Sequence, residues 1–600
     1  MTLTGAGSEG ASGKPGGASA MPAPAPTIPP GAPGPEPAAV QAPGPGTPAP
    51  GPGTGARQPR QVAAAAPLRL PWALAVALAG GLVLMAAFPP AGFWPLAPAG
   101  PALLAVALWR RSLRGSLLIG LVFGLAFFVP LLSWLVNLAW YAWLALAVAE
   151  AVIFAILAVG QRVLLNLPAW PLAVAGWWVC AEGLRSRWPY VFPWGRLAMS
   201  QAGTPTAPWV AVGGVALLSF LLALAGTSLA WVLLGRGAAA PATGPDAPAA
   251  GERPGWPGTG WWPALRGRAL PLLAFAGVVA LALAGFLLPV DQPVPGGPTA
   301  VVAAIQGNVP HARNLPDLLR ATTVTANHAA ATEELARQVR AGRRPAPQLV
   351  IWPENSTDLD PRFYLPVYAT ISAAARAIGS PLLVGAVLGD PLRNTGLLWL
   401  PGRGPATVYV KRQLVPFGEY IPFRGLLSRI TSLVALQPKN FTGGHRAVVF
   451  HVGRIRLGDV ICYEVGFDGL VSSEVRAGAN LLAMQTNDAS FEVDGQRGET
   501  LQQLAMARIR AVESDRAVVV ASTTGVSAVI APDGRLLAHT ASWRRAELDV
   551  RVPLLTTRTL ADRLGAWPEA VIILLTLAAF GWAVTAAVRR RLASRRQHAA

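Results

Sequence analysis

The hydrophobic pattern divides the chain into contrasting stretches. Long apolar runs lie at roughly 70–88, 92–109, 115–138, 140–165, 168–184, 206–235 and 268–290, with an eighth at about 567–588. Each is near the ~20 apolar residues that carry a helix across a bilayer. The first, second and fifth are short and flanked by proline, which leaves their ends ill-defined. Between 291 and 563 the apolar runs shorten and alternate with amphipathic stretches. This pattern predicts strands at 299–305, 347–352, 381–388, 406–411, 447–452, 455–461, 480–486, 517–523, 526–531 and 534–539. It predicts helices at 316–341, 365–378, 466–477 and 499–514, hence a layered α/β domain. Residues 1–66 are Pro, Gly and Ala with no periodicity, which predicts a disordered tail. That tail is not read as a signal peptide, because the first apolar run begins only near Leu70. The expected organisation is a tail at 1–66, a membrane domain of about seven helices at 67–290, an α/β domain at 291–563, a last transmembrane helix at 564–590 and a basic tail at 591–600.

Charge placement orients these spans. Arg57, Arg60 and Arg69 precede the first, and Arg110, Arg111 and Arg114 separate the second from the third. Arg162 ends the fourth; Arg236, Arg253, Arg266 and Arg268 lie between the sixth and seventh; Arg589, Arg590, Arg591, Arg595 and Arg596 follow the eighth. With eight crossings all of these fall on one side, the cytoplasmic one, and 291–563 lies outside. The connection 185–205 breaks the rule with Arg185, Arg187 and Arg196. Either the rule leaks there or those arginines have work to do. Only 13% of residues are charged against 52% hydrophobic. The formal net charge of +19 therefore reads as topology rather than as a nucleic-acid surface.

Three buried-type strands end in three different reactive side chains. LVIWPE (349–354) ends in Glu354, TVYVK (407–411) in Lys411, and GDVIC (458–462) in Cys462. A Glu that takes a thiol proton, a Cys that attacks a carbonyl and an ammonium that stabilises thiolate and oxyanion make an acyl-transfer set. Cys462 is one of two cysteines, too few for a disulfide framework. A free thiol in an extracytoplasmic domain is a liability unless it works. Cys180, inside an apolar span, reads as a small buried thiol. Burial raises a carboxyl's pKa, which suits Glu354 as a base; its bland alternative is a turn cap with Asn355 and Ser356. The alternative for Lys411, in a chain where lysine is scarce, is a snorkelling strand end. Glu419 stands eight residues on, placed to hold the ammonium or assist the base.

Other candidates are weaker. His445 and His451 precede Cys462, but His451 sits in the alternating AVVFHVGRIRL and reads as solvent-facing. The histidines show no metal-ligand spacing. Asn487, in TNDAS (486–490), serves either a substrate or an Asx-type turn. The arm 412–442 carries Phe417, Tyr420, Ile421, Phe423, Leu426, Leu427, Ile430 and Leu433. It suits either a lid dipping into lipid or a covered core loop.

Together these pieces resemble a known family. FPWGRLAMSQ (192–201), AIQGNVP (304–310), WPEN (352–355), VKRQLVPFGEYIPFR (410–424), GDVICYE (458–464), TNDAS, LQQLAMARIRAVES (501–514) and TTGVSAVI (523–530) fall in the order and spacing of apolipoprotein N-acyltransferases, the integral membrane branch of the nitrilase (carbon–nitrogen hydrolase) superfamily. The resemblance covers roughly 70–590 and implies a nitrilase-like αββα sandwich on a helical membrane domain. It also implies a Glu354–Lys411–Cys462 triad supported by Glu419, Tyr463 and Glu464. Glu182, Arg185 and the FPW at 192–194 match the family's membrane motif, which gives Arg185 and Trp194 a part in substrate or lipid binding beside Phe417, Tyr420, Ile421, Phe423 and Asn487. One departure is Leu315, near the place where some members carry a Trp.

The implied reaction moves an acyl chain from a phospholipid to Cys462 as a thioester, then to the amine of a lipoprotein's diacylglyceryl-cysteine. No cofactor, metal or nucleic acid is implied, and a monomer is expected in the bacterial inner membrane. The competing readings are a membrane-bound amidase, in which water takes the acyl group, and a transporter with an external binding domain. The second needs ionisable residues within the spans, where only Glu150, Glu182 and span-end arginines qualify.

Overall fold

The computed structural model describes residues 66–235, 262–290, 296–310, 316–429, 434, 439–492, 495 and 497–599. The tail at 1–65, Leu315, and Ile430 and Leu433 of the arm lie outside the described residues. The first half is helical: α1 (Leu70–Ala86), α2 (Ala99–Leu108), α3 (Leu113–Leu131), α4 (Trp140–Leu164), α5 (Trp170–Arg185), α6 (Val210–Leu234) and α7 (Trp262–Leu283). Pro71 and Pro171 open α1 and α5 at positions where a missing N–H costs nothing. Ser112 caps α3 by accepting from the Gly115 amide at 3.2 Å. Among the described residues five stretches are long and apolar enough to cross a membrane: 113–131, 140–164, 207–234, 269–287 and 567–597. The remaining three of the eight expected spans are α1, α2 and α5, with 17, 10 and 16 residues. At 1.5 Å per residue even α1 reaches only about 26 Å, short of a ~30 Å hydrocarbon core. These are the three whose ends proline had blurred. Ile156, Leu574, Leu575 and Trp582 stand more than 60% exposed on α4 and the last helix, an apolar surface that calls for lipid.

Among the described residues the second half holds twelve strands: β1 (Thr299–Gln306), β2 (Leu349–Ile351), β3 (Leu382–Leu388), β4 (Arg393–Leu400), β5 (Gly404–Val410), β6 (Val449–Val452), β7 (Ile455–Ile461), β8 (Leu481–Thr486), β9 (Val518–Ser522), β10 (Ala528–Ile530), β11 (Leu536–His539) and β12 (Ala546–Pro553). Its helices are α8 (Asp317–Arg340), α9 (Leu365–Ile378), α10 (Arg424–Leu427), α11 (Asp468–Arg476) and α12 (Gly498–Ser514); α13 (Leu560–Leu564) and α14 (Trp567–Ala599) close the chain. The strands form two sheets, in the orders β12-β1-β2-β3-β4-β5 and β11-β10-β9-β8-β7-β6. Parallel pairs β1-β2-β3 and β7-β8-β9 occupy the centres, and antiparallel strands take the edges. The central strands β2, β8 and β9 are buried along their whole length, which is why they read as unbroken apolar runs.

Four layers result. Val302, Leu349, Leu383, Leu457, Leu481 and Val519 fill the space between the sheets. Leu335, Ile371 and Ala375 of α8 and α9 cover the first sheet. Over the second sheet, Met506, Ile509 and Val512 of α12 share one core with Phe127, Trp178 and Leu218 of the membrane helices. Thus α12 is packed on both sides, by the sheet and by the apolar helices of the first half. This is the nitrilase-like sandwich the sequence led us to expect.

Beneath the strand ends, Asp459 of β7 is fully buried and neither carboxyl oxygen has a hydrogen-bond partner. It faces Gly396 of the other sheet, where an added Cβ would lie 2.0 Å from Asp459 Oδ2, so only glycine leaves the acid room. Burial, with help from Glu464 and Glu474, pushes the Asp459 carboxyl well above its ordinary value. The sign follows. The fold prefers the protonated form, so the contribution to stability is full below about pH 4 and is lost as pH rises toward the folded-state value. Asp459→Asn, neutral at every pH, is expected to melt with the parent near pH 4 and a few degrees higher at pH 8. A variant that melts lower by the same amount at both pH values would contradict this.

Candidate active site

Three strands from two sheets meet at one end of the sandwich. Glu354 follows β2 by way of Trp352 and Pro353, Lys411 follows β5, and Cys462 follows β7. Gly385 of β3 makes the first placement possible: a Cβ there would lie 2.1 Å from the Pro353 carbonyl oxygen. Cys462 has φ +51°, a left-handed conformation unusual for a residue with a side chain. It turns the chain from β7 into the short helical turn Cys462–Gly466 and leaves the thiol 7% exposed.

Glu464 holds that turn. Its carboxylate accepts from the Ile461 amide at 2.8 Å, the Arg412 amide at 2.6 Å, the Gln413 amide at 3.1 Å and the Tyr409 hydroxyl at 2.9 Å. Ile461 belongs to the second sheet, while Tyr409 and Arg412 flank Lys411 at the edge of the first. Glu464 therefore staples the nucleophile's strand to the lysine's strand. Burial raises its pKa, and the amide donors oppose that shift.

The lysine sits between two carboxylates. Lys411 Nζ donates to Glu354 Oε1 at 2.9 Å and to Glu419 Oε1 at 3.1 Å. Asn394, at the start of β4, donates through Nδ2 to the same two oxygens, at 2.7 and 2.8 Å. The Val415 amide holds the other oxygen of Glu419 at 2.8 Å, and the Asn487 amide holds that of Glu354 at 3.1 Å. Burial alone would lower the lysine's pKa; Glu354 and Glu419 outweigh it and hold the ammonium well above its ordinary value. Lys411 thus keeps its proton and is not a base. The Cys462 thiol is pushed well up, by burial first and Glu354 second, with Lys411 opposing. A thiol that stays protonated at rest needs a base to take its proton during reaction. Glu354 and Glu499 are the carboxylates whose charge bears on the thiol, and Glu354 is the one joined to Lys411.

Behind the nucleophile, Tyr463 stacks on Trp194, centroids 5.7 Å apart and planes 13° apart, and on Phe192 at 6.4 Å. Its hydroxyl donates to the Val191 carbonyl at 2.5 Å. Arg185 is 1% exposed; it pairs with Glu150 of α4 and donates to the Trp194 carbonyl at 2.6 Å. Of the three arginines that broke the charge rule, Arg185 thus lies inside the bundle, holding the loop on which Tyr463 rests.

In the arm, Phe417 is 58% and Phe423 72% exposed, Tyr420 is half-buried, and Ile421 is buried, so lid and core readings each describe part of it. The Asn487 side chain forms a turn, accepting from the Ala489 amide and the Thr523 hydroxyl, while its backbone serves Glu354. His445 and His451 are exposed. Sequence reasoning missed Asn394, because β4 opens on the polar Arg-Asn-Thr and gives no strand signal. It also missed Gln503, whose amide donates to Cys462 Sγ at 3.4 Å. The only hint of Gln503 in the sequence is the pair of adjacent glutamines, Gln502 and Gln503, in the helix predicted at 499–514.

Residues 80–228 match the apolipoprotein N-acyltransferase N-terminal domain, and residues 301–568 match the carbon-nitrogen hydrolase family. An apolipoprotein N-acyltransferase of Mycolicibacterium smegmatis is 37% identical over 528 residues, 84% of each chain. One from Azotobacter vinelandii is 30% identical over 542 residues, 86% of this chain and 95% of the relative. Among solved structures, an amidase from Nesterenkonia sp. is 18% identical, covering 44% of this chain and 94% of its own with a TM-score of 0.31.

The staple makes a graded prediction. Glu464→Gln leaves an amide facing donors and is expected to cost ~3 kcal/mol or more, with a lowered melting temperature. Tyr409→Phe removes one of its donors and should cost about 1 kcal/mol. Equal melting curves for the parent and both variants would show that the staple does not hold the two sheets' ends together.

Proposed function

The chain belongs to the apolipoprotein N-acyltransferase family, and on that premise we infer how its residues carry out acyl transfer to the amine of a lipoprotein. Glu354 takes the proton of Cys462, and the thiolate attacks the ester carbonyl of a membrane phospholipid. Lys411, held charged by Glu354 and Glu419, faces the oxyanion that develops. As the tetrahedral intermediate collapses, Glu354 returns its proton to the departing lysophospholipid oxygen and a thioester remains. The amine of the acceptor's diacylglyceryl-cysteine then attacks the thioester. Glu354 accepts the amine's proton, the thiolate leaves, and the product is an amide. The observation that carries this reading is Glu354 bonded to the lysine ammonium beside a protonated thiol, which puts a carboxylate and a cation together at the sulfur.

The arm at 412–442 admits lipid laterally through its exposed Phe417 and Phe423, with Tyr420 and Ile421 behind them. Both lipid substrates are insoluble in water, which suits a site opening at the bilayer. In this reading the eight apolar helices cross the membrane, the short ones aided by their flanking turns, and the α/β domain lies on the extracytoplasmic side. The arginine asymmetry supports this, and the three arginines of 185–205 that depart from it are each paired with an acid: Arg185 with Glu150, Arg187 with Glu569 and Arg196 with Asp468.

The test uses a phospholipid labelled in one acyl chain and a peptide whose first residue is diacylglyceryl-cysteine with a free amine. The parent yields the labelled triacylated peptide and lysophospholipid. Cys462→Ala yields neither, Cys180→Ala yields both, and Lys411→Ala falls by roughly 100-fold or more. Turnover by Cys462→Ala would reject the mechanism. A reporter inserted near Gly404 should read extracytoplasmic; a cytoplasmic signal would overturn the topology and the acceptor together.

A further inference from the structure

Cys462 Sγ has a hydrogen-bond donor on α12, on a different element from both Glu354 and Lys411. Gln503 is 3% exposed, and its side-chain amide makes bonds at each end. Nε2 donates one hydrogen to Sγ at 3.4 Å and the other to Glu499 Oε1. Oε1 accepts from the Thr486 hydroxyl at 2.9 Å, at the end of β8. With Nε2 toward the sulfur the amide serves Sγ and Glu499 Oε1 together, whereas an oxygen turned toward Sγ would oppose the thiolate. Gln502, one residue earlier, faces the other way. It accepts from the indoles of Trp194 at 2.9 Å and Trp134 at 3.3 Å, and donates to the Leu131 and Pro89 carbonyls at 3.1 and 3.2 Å. Consecutive glutamines thus fasten α12 to the membrane helices and to the sulfur.

We propose that Gln503 is a catalytic residue whose amide N–H stabilises the Cys462 thiolate, as the attacking group in the first half-reaction and as the leaving group in the second. A thiolate accepts a hydrogen bond more strongly than a thiol or a thioester sulfur, because only the thiolate carries full charge. The bond therefore favours the charged states that flank each tetrahedral intermediate, and it relaxes in the thioester. The groups facing Gln503 agree with this. Glu499 and Asp488, stacked behind it, are both pushed up by burial. They are able to share a proton, which lessens the negative charge next to the sulfur. Lys411 approaches the sulfur from the first sheet, so the thiolate is held between an ammonium and an amide.

The inference rests on Cys462 being the nucleophile, and the experiment separates the two. Cys462 in the full-length protein in detergent is alkylated with iodoacetamide across pH 6–10 and followed by mass. In Gln503→Met, of similar shape but without a donor, the alkylation profile is expected to move to higher pH. The rate at neutral pH should fall about 10- to 100-fold, and acyl transfer should fall with it. Thr486→Val, which releases the other end of the amide, should move the profile the same way by less. If Gln503→Met lowers the melting temperature while leaving the profile in place, Gln503 is structural and the inference fails although the nucleophile stands. If Gln503→Met does not fold, the Thr486→Val profile decides in the same way. Full turnover after alkylation of Cys462 would instead remove the nucleophile, and the inference with it.

Discussion

A buried ammonium is the constraint on which the site turns. Lys411 is 1% exposed, and an unpaired charge there would cost several kcal/mol. Two carboxylates answer that cost and one asparagine holds both of them, and each comes from a different place in the first sheet or its arm. Glu354 follows β2, Asn394 opens β4, and Glu419 lies beyond β5. The order β2-β3-β4-β5 puts two strands between Glu354 and Lys411, so the contact exists only when that sheet is fully formed. The charge thus does two jobs. It ties the strand ends into one unit, and it fixes in place Glu354, the carboxylate proposed to take the thiol proton.

The thiol must come from the other sheet, which requires a second set of ties. Glu464 joins the end of β7 to the residues beside Lys411. Tyr463 rests on the Trp194 loop, and Arg185 fixes that loop from inside the helical bundle. Helix α12, packed between the second sheet and the membrane helices, brings Gln503 to the sulfur. The nucleophile is therefore positioned by the membrane domain as well as by its own sheet. For an acyltransferase that acts on lipoproteins, that coupling ties the sulfur's position to the apolar helices.

Much of this was legible in the sequence because central strands are buried on both faces. LVIWPE, TVYVK and GDVIC each announce a strand and the residue at its end. Ten of the twelve strands follow from such runs or from alternation. The two that escaped are β4, which starts on polar residues, and β12, which alternates charges along a partly exposed edge. The spans at α1, α2 and α5 were blurred by proline, and their helices are the short ones. Arg185 looked like an exception to charge placement, since no sequence pattern links it to Glu150, 35 residues away in another helix. Asn394 and Gln503 were invisible for the same reason: a single amide on a strand or helix carries no signal until the fold brings its partner to it.

The central claim is that Glu354, with Lys411 fixed as a cation, charges Cys462 with an acyl group. Intact mass of the protein purified from membranes or incubated with phospholipid measures this directly. The parent should carry one acyl mass on the peptide containing Cys462, and a diacylglyceryl-cysteine peptide should discharge it. Glu354→Gln, which keeps the shape of the lysine cluster but has no base, should carry none. An acyl group found on Glu354→Gln at the parent's level, or on any residue other than Cys462, would contradict the account.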